Sequence, residues 1–190
     1  MAGSASPDAQ TWIVLLRGIN VGGRNRLPMA ELRRRLEALA AASPRTYLQS
    51  GNAVVRSSPE IAGRLTADLP RAIEAAHGFK PWVLVLSHDA LDVAMAANPF
   101  PEARGRELHL YFLCAEPGVF DIDQLEAVRR PNERYRLNGK VFYLHAPDGI
   151  GRSKLAGRVE RVLGVESTAR NRRTVEALLK LAAPSGSAPG

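Results

Sequence analysis

The chain has 190 residues, of which 45% are hydrophobic and 24% charged, the balance of a globular protein with a packed core of one domain or two small ones. No apolar run approaches the ~20 residues of a membrane span, and residues 1–10 lack the basic start and apolar core of a secretion signal. The net charge of +7 and the pI of about 10.2 favour anionic partners and carry no information about fold.

That charge is unevenly spread. Between residues 151 and 180 the basic side chains are Arg152, Lys154, Arg158, Arg161, Arg170, Arg172, Arg173 and Lys180, against Glu160, Glu166 and Glu176. Residues 17–37 hold Arg17, Arg24, Arg26, Arg33, Arg34 and Arg35 against Glu31 and Glu37. Two solvated helix faces would also account for this. Cys114, inside an apolar run, reads as a small core residue, with a reactive thiol as the alternative. As the single cysteine it has no intrachain partner, which fits a reducing cytoplasm.

In chain order, residues 1–10 read as a disordered leader and residues 11–16 as a central strand covered on both faces. A glycine-rich turn follows, and then a helix over residues 29–41, with Leu32, Leu36 and Leu39 on its inner face and Pro28 at its start. Residues 45–48 and 53–56 form a hairpin about Ser50-Gly51-Asn52. Residues 59–77 are helical, ended by Gly78, with Pro70 expected to kink or split them. Residues 82–86 make a fourth strand. This order is the split βαβ, or ferredoxin-like, arrangement with the first and third strands central. Its open face needs a cover, either the second half of the chain or a partner subunit.

The second half starts with a short helix over residues 89–97. It continues with a strand over 107–114, a helix over 121–130, a hairpin about Asn138-Gly139, a helix from Gly151 and a last helix capped by Asn171. The fold class is therefore α+β with two subdomains. The first, residues 11–87, is βαββαβ. The second, residues 88–183, is a related βαββ unit ending in two helices, followed by a disordered tail over 184–190.

The first candidate site joins the strand exit to the hairpin turn: Arg17, Gly18, Asn20, Gly22, Gly23 and Arg24 with Gln49, Ser50 and Asn52. Amides, a hydroxyl and guanidinium groups on one rim suit a phosphate or carboxylate, although the glycine spacing matches neither dinucleotide nor Walker loops. The asparagines and glycines could equally serve only to build turns. The second candidate is Gly151, Arg152, Ser153 and Lys154, basic residues in the first turn of a predicted helix, where a bound anion would offset their clash with the macrodipole. Arg170 and Asn171 have the same character. His77, His88, His109 and His145 lack metal-ligand spacing, and His109 and His145 lie on strands that would let them face each other. No carboxylate pair of helical spacing lies near either turn, so no metal is expected.

Leu-Leu-Arg-Gly-Ile-Asn-Val-Gly-Gly, Tyr-Leu-Gln-Ser-Gly-Asn, Asn98-Pro99-Phe100, Asp-Gly-Ile-Gly-Arg-Ser-Lys-Leu and Thr-Ala-Arg-Asn-Arg-Arg-Thr-Val run in order from about Trp12 to Ala182. Together they resemble the signature blocks of the bacterial family called domain of unknown function 1697. The resemblance implies a soluble, two-subdomain α+β protein and supplies no reaction or cofactor. The chain departs from the pattern at Arg172-Arg173, where the family usually carries a tryptophan and then a polar residue.

Three functions follow as expectations. The first is binding of an anionic small molecule, nucleotide or nucleic acid at the basic turns, although the aromatic strand motif that stacks bases is missing. The second is a protein-interaction or homodimerisation module using the open sheet face, with Trp12, Val14 and Leu16 as its surface. The third is a phosphate-handling enzyme with His145 or Lys154 moving a proton. No membrane partner is expected.

Overall fold

The structure is a computed structural model and describes residues 9–183; of the leader expected over 1–10, residues 1–8 lie outside the described residues, as does the tail over 184–190, while Gln10 belongs to the first strand rather than to the leader. It divides into two units. One takes the described residues up to Asp92 together with those from Ala177 onward, and the other is Val93–Glu176.

In the first unit the order is β1 (Gln10–Arg17), α1 (Met29–Ala38), β2 (Ala42–Tyr47), β3 (Asn52–Ser57), α2 (Pro59–His77) and β4 (Trp82–Ser87). The strands pair antiparallel as β2-β3-β1-β4, so the first and third are central as the ferredoxin-like reading expects. Val14 and Leu16 pack beneath Leu32 and Leu36 of α1 and Leu65, Leu69 and Ile73 of α2, with Trp12 against the same cluster. These three side chains therefore belong to the helix-side core and do not form an interaction surface. The alternate residues Ile13 and Leu15 are also fully buried, so both faces of β1 are removed from water. Fully burying one such side chain is worth about 1.5–3 kcal/mol, which is why a continuous apolar run reads as a central strand. Helix α2 runs unsplit through the buried Pro70 and ends at Gly78, which takes the left-handed conformation (φ +72°).

The helix α3 (His88–Ala96) spans the division between the units. The second unit then gives β5 (Leu108–Leu113), α4 (Asp123–Glu126), β6 (Arg134–Asn138), β7 (Val141–His145), α5 (Val159–Leu163), β8 (Ser167–Asn171) and the start of α6 (Arg172–Ala182). Its sheet order is β6-β7-β5-β8, all antiparallel, so this unit is also βαββαβ. The two closing helices are present, and a fourth strand, β8, lies between them where the sequence reads as a helix cap. Two helices are shorter than expected. The 121–130 segment is helical only over α4, and the segment from Gly151 is a single 3₁₀ turn, Ile150–Arg152, with α5 beginning at Val159.

The β6–β7 turn sits one residue later than Asn138-Gly139. Gly139 (φ +52°) and Lys140 are its central residues. Lys140 is not among the positive-φ residues, so the turn is of the II′ class, with glycine first, rather than I′.

Register also settles the histidines. His109 pairs with Leu144 and His145 with Leu108, so the two point to opposite faces of the sheet and do not meet. Cys114 is exposed, just past β5, and is not a core residue.

Candidate functional site

The β1 exit and the β2–β3 turn are bound together by side-chain amides. Asn20 donates through Nδ2 to the carbonyls of Leu27 (2.9 Å) and Gln49 (2.7 Å), and its Oδ1 accepts from the Leu27 N–H (2.8 Å). Asn25 donates to the carbonyl of Gly18 (2.9 Å). Asn52, fully buried, donates to the carbonyl of Tyr47 (3.0 Å) and to Ser50 Oγ (2.9 Å). The Leu16 N–H donates to the Gly51 carbonyl (2.8 Å). A Cβ at Gly51 (φ +76°) would lie 2.7 Å from Leu16 Cβ, so only glycine fits there.

The loop itself turns through left-handed conformations at Gly18, Asn20, Gly22, Gly23 and Asn25. Asparagine tolerates this region better than most residues, because its short amide can bond locally. A Val21–Arg24 bridge closes the tip. The structure thus brings Asn20, Gln49, Ser50 and Asn52 onto one rim, with Gly18 and the Gly22-Gly23 tip on the same loop. Arg17, Arg24 and Arg26 are exposed along it. The Arg24 backbone N–H donates to the Val21 carbonyl (3.0 Å), but neither the Arg24 nor the Arg26 side chain makes a hydrogen bond or ion pair with another described residue. In the neighbouring α1, by contrast, Arg33 bonds Thr46 Oγ1 (2.7 Å) and Arg35 pairs with Glu31 (2.6 Å). The amides that the sequence offers as ligand donors therefore build the scaffold.

The second group stands differently from its expected helix start. Arg152 ends the 3₁₀ turn, Gly151 lies inside it, and Ser153 Oγ accepts from the Ala156 N–H (3.0 Å). With α5 beginning only at Val159, Arg152 and Lys154 occupy no helix N-terminus, and the macrodipole argument for an anion there lapses. Arg170 is on β8. It is nearly buried, donating to Thr168 Oγ1 (2.7 Å) and the Ala169 carbonyl (2.9 Å), and burial pulls its guanidinium down to about 10. Asn171 caps α6, accepting from the Thr174 N–H (2.9 Å). Arg172 pairs with Glu176 (2.8 Å) and donates to the carbonyls of Pro101 (2.8 Å) and Ala103 (3.2 Å).

A family model described as Protein of unknown function (DUF1697) matches residues 9–143, well over half the chain. The chain belongs to this family. The DUF1697 match includes the whole β1–α1 loop and the β2–β3 turn, so the Asn-locked rim lies inside it. Among solved structures, the conserved bacterial protein SP0830 from Streptococcus pneumoniae is similar, at a TM-score of 0.65 and 24% identity, over 92% of this chain and 99% of that one. That likeness establishes a shared fold. Comparison with curated proteins gives no match. No helix among the described residues of this DUF1697 chain is long and apolar enough to cross a membrane.

An open groove of about 540 Å³ in the second unit has no counterpart in the sequence reading. Phe120, Tyr135, Leu137 and Phe142 give it an apolar floor, and Tyr135 stacks on Phe142 at 5.3 Å. The Tyr135 hydroxyl donates to Glu126 (2.6 Å), whose other oxygen takes Arg129 Nε (2.8 Å). Burial, and then this bond, push the phenol up to about 12, while the tyrosine and then Arg129 hold the Glu126 carboxyl low. At one end Arg134 lies over the Phe100 ring (4.9 Å), pairs with Glu102 and reaches His145 Nδ1 (3.1 Å). The lining comes from five separate stretches, each of which reads alone as ordinary core or surface.

Proposed function

We propose that this DUF1697 protein binds an anionic ligand, phosphate- or carboxylate-bearing, on the rim made by residues 18–28 and the β2–β3 turn. The observation that supports this reading is the contrast within one loop. Asn20, Asn25 and Asn52 hold its backbone in place, while the guanidinium groups of Arg24 and Arg26 stand exposed with no partner among the described residues. A rigid frame spares a ligand the cost of ordering the loop, and backbone held in sparsely populated conformations often accompanies function. At Gly22 and Gly23 no atom lies within 4 Å of a would-be Cβ, so a ligand could approach the backbone closely. The reading places the protein in the cytoplasm, which its single cysteine fits.

The test is a thermal-shift screen of inorganic phosphate, nucleotides, sugar phosphates and dicarboxylates, on the natural chain and on a double variant, Arg24→Ala with Arg26→Ala. A ligand at about 100 times its Kd adds about 2.7 kcal/mol, which for a chain of this size raises Tm by roughly 5–10 °C. The double variant should lose that shift. For an oligonucleotide, log affinity should fall linearly with log salt concentration. A screen without a hit, or a hit unchanged in the double variant, refutes the reading.

A further inference from the structure

The two sheets have four edge strands, and β6 differs from the other three. β2 is blunted by a register shift between Ala42 and Arg45 and by Pro44, devices that stop an edge from pairing. β4 and β8 have no exposed residue. β6 pairs with β7 through five residues without a shift and alternates exposed and half-buried side chains.

Its free edge can be read from the turn. A two-residue turn makes Asn138 and Val141 a hydrogen-bonded pair, so Arg136 and Arg134 also bond to β7. Tyr135 and Leu137 then direct their N–H and C=O groups away from the sheet. Among the described residues, no backbone group outside the ladder bonds to them. The same two residues supply the floor of the 540 Å³ groove.

We infer that the β6 edge is a docking site for an extended peptide segment that alternates acidic and apolar residues, added as a fifth strand. Alternate side chains of such a strand fall on opposite faces. One set would enter the groove over Tyr135, Leu137 and Phe120. The other set would lie beside Arg134 and Arg136. Arg134 is already paired with Glu102, but Arg136 is exposed and makes no ion pair among the described residues, so an acidic side chain would find its counter-charge there. The groove's own carboxylates are occupied. Glu126 holds Tyr135 and Arg129, and the buried Glu133 accepts from the Arg130 N–H (2.9 Å).

The same charges disfavour a second copy of this chain. The antiparallel self-pairing that uses all of β6 sets Arg136 against itself, and the one centred on Tyr135 sets it against Arg134. Like charges placed directly opposite are destabilising, and only the three-residue register centred on Leu137, with Arg136 facing Asn138, avoids them.

The probe is a fluorescein-labelled, amidated heptapeptide alternating glutamate and valine, titrated against the full chain by fluorescence anisotropy. Its counterpart carries lysine for glutamate. The acidic peptide should bind at least tenfold more tightly than the lysine peptide. Arg136→Glu should remove that preference or reverse it, while the Arg24→Ala, Arg26→Ala double variant should leave it intact. That last arm separates this site from the anion rim. In the natural chain, hydrogen exchange at the Tyr135 and Leu137 amides should slow when the acidic peptide is bound. No binding at millimolar chain, equal binding of the two peptides, unchanged exchange at those amides, or self-association lost in Arg136→Glu would each overturn the proposal.

Discussion

Replacing Asn20 with alanine tests whether the β1–α1 loop is held by its side-chain amides. Asn20 satisfies both the N–H and the C=O of Leu27, which is 1% exposed, at 2.8 and 2.9 Å, while its third bond goes to the exposed Gln49 carbonyl. Water can replace the amide at Gln49 but not at Leu27. Leaving two buried backbone groups without partners costs about 1–3 kcal/mol each, and an alanine in the left-handed region adds roughly 1 more. Partial relaxation of an exposed loop lowers the sum, so the expected loss is about 3 kcal/mol, or roughly 6–12 °C in Tm for a chain of this length. Urea unfolding followed by circular dichroism measures it.

Two companion substitutions separate the causes. Asn20→Gly removes the same bonds without adding the backbone strain of an alanine at φ +54°, and should recover about 1 kcal/mol relative to Asn20→Ala. Asn20→Asp retains an acceptor for the Leu27 N–H but sets a carboxylate against two carbonyl oxygens. It should be at least as destabilising as alanine at neutral pH and recover when acidified. A loss under about 0.5 kcal/mol in Asn20→Ala, the range of neutral surface changes, would refute the reasoning.

Other consequences follow from single residues. Gly51→Ala should cost about 3 kcal/mol or more, since its Cβ would stand 2.7 Å from Leu16 Cβ, whereas Gly22→Ala, with nothing within 4 Å, should cost only about 1 in the same urea series. Pro70→Ala should stabilise the chain by about 1 kcal/mol. It restores a helix-interior N–H worth about 3, against about 1.6 for two buried methylenes lost, and a lower Tm would count against it. Burial depresses the His109 imidazole, outweighing the Glu107 backbone, which favours its charged form. The unfolded chain therefore binds the proton more readily than the folded one. Stability from this group is complete above about pH 6.5 and is lost as pH falls through the lower folded value. NMR titration should place His109 below 6.5, and His109→Phe should flatten the acid limb of stability against pH.

The first unit is legible in the sequence because its signals are local. The apolar run of β1, the heptad-like spacing of α1 and α2, and the Ser50-Gly51-Asn52 turn each name their element without reference to the rest. The second unit is less so. β8 carries Thr168, Ala169, Arg170 and Asn171, of which only threonine is a strong strand former, and its pairing with β5 is a long-range contact that a sequence window does not see. Helix α5 starts late because Gly157 lies inside the stretch where the periodic pattern expects helix. At the candidate rim the spacing placed the right residues together but not their roles. Whether an amide faces a ligand or its own backbone depends on loop dihedrals, and asparagine's access to positive φ leaves no trace in composition.

Cys114 bears on how assembly in this protein is measured. It is the sole thiol of the chain and it stands in solvent beyond the end of β5. In air-exposed buffer its only disulfide is one between two molecules, so an unreduced sample would accumulate linked pairs that mimic a native dimer on a sizing column. The same exposure makes it a unique handle: one maleimide equivalent tags every molecule at one known position, without mutagenesis.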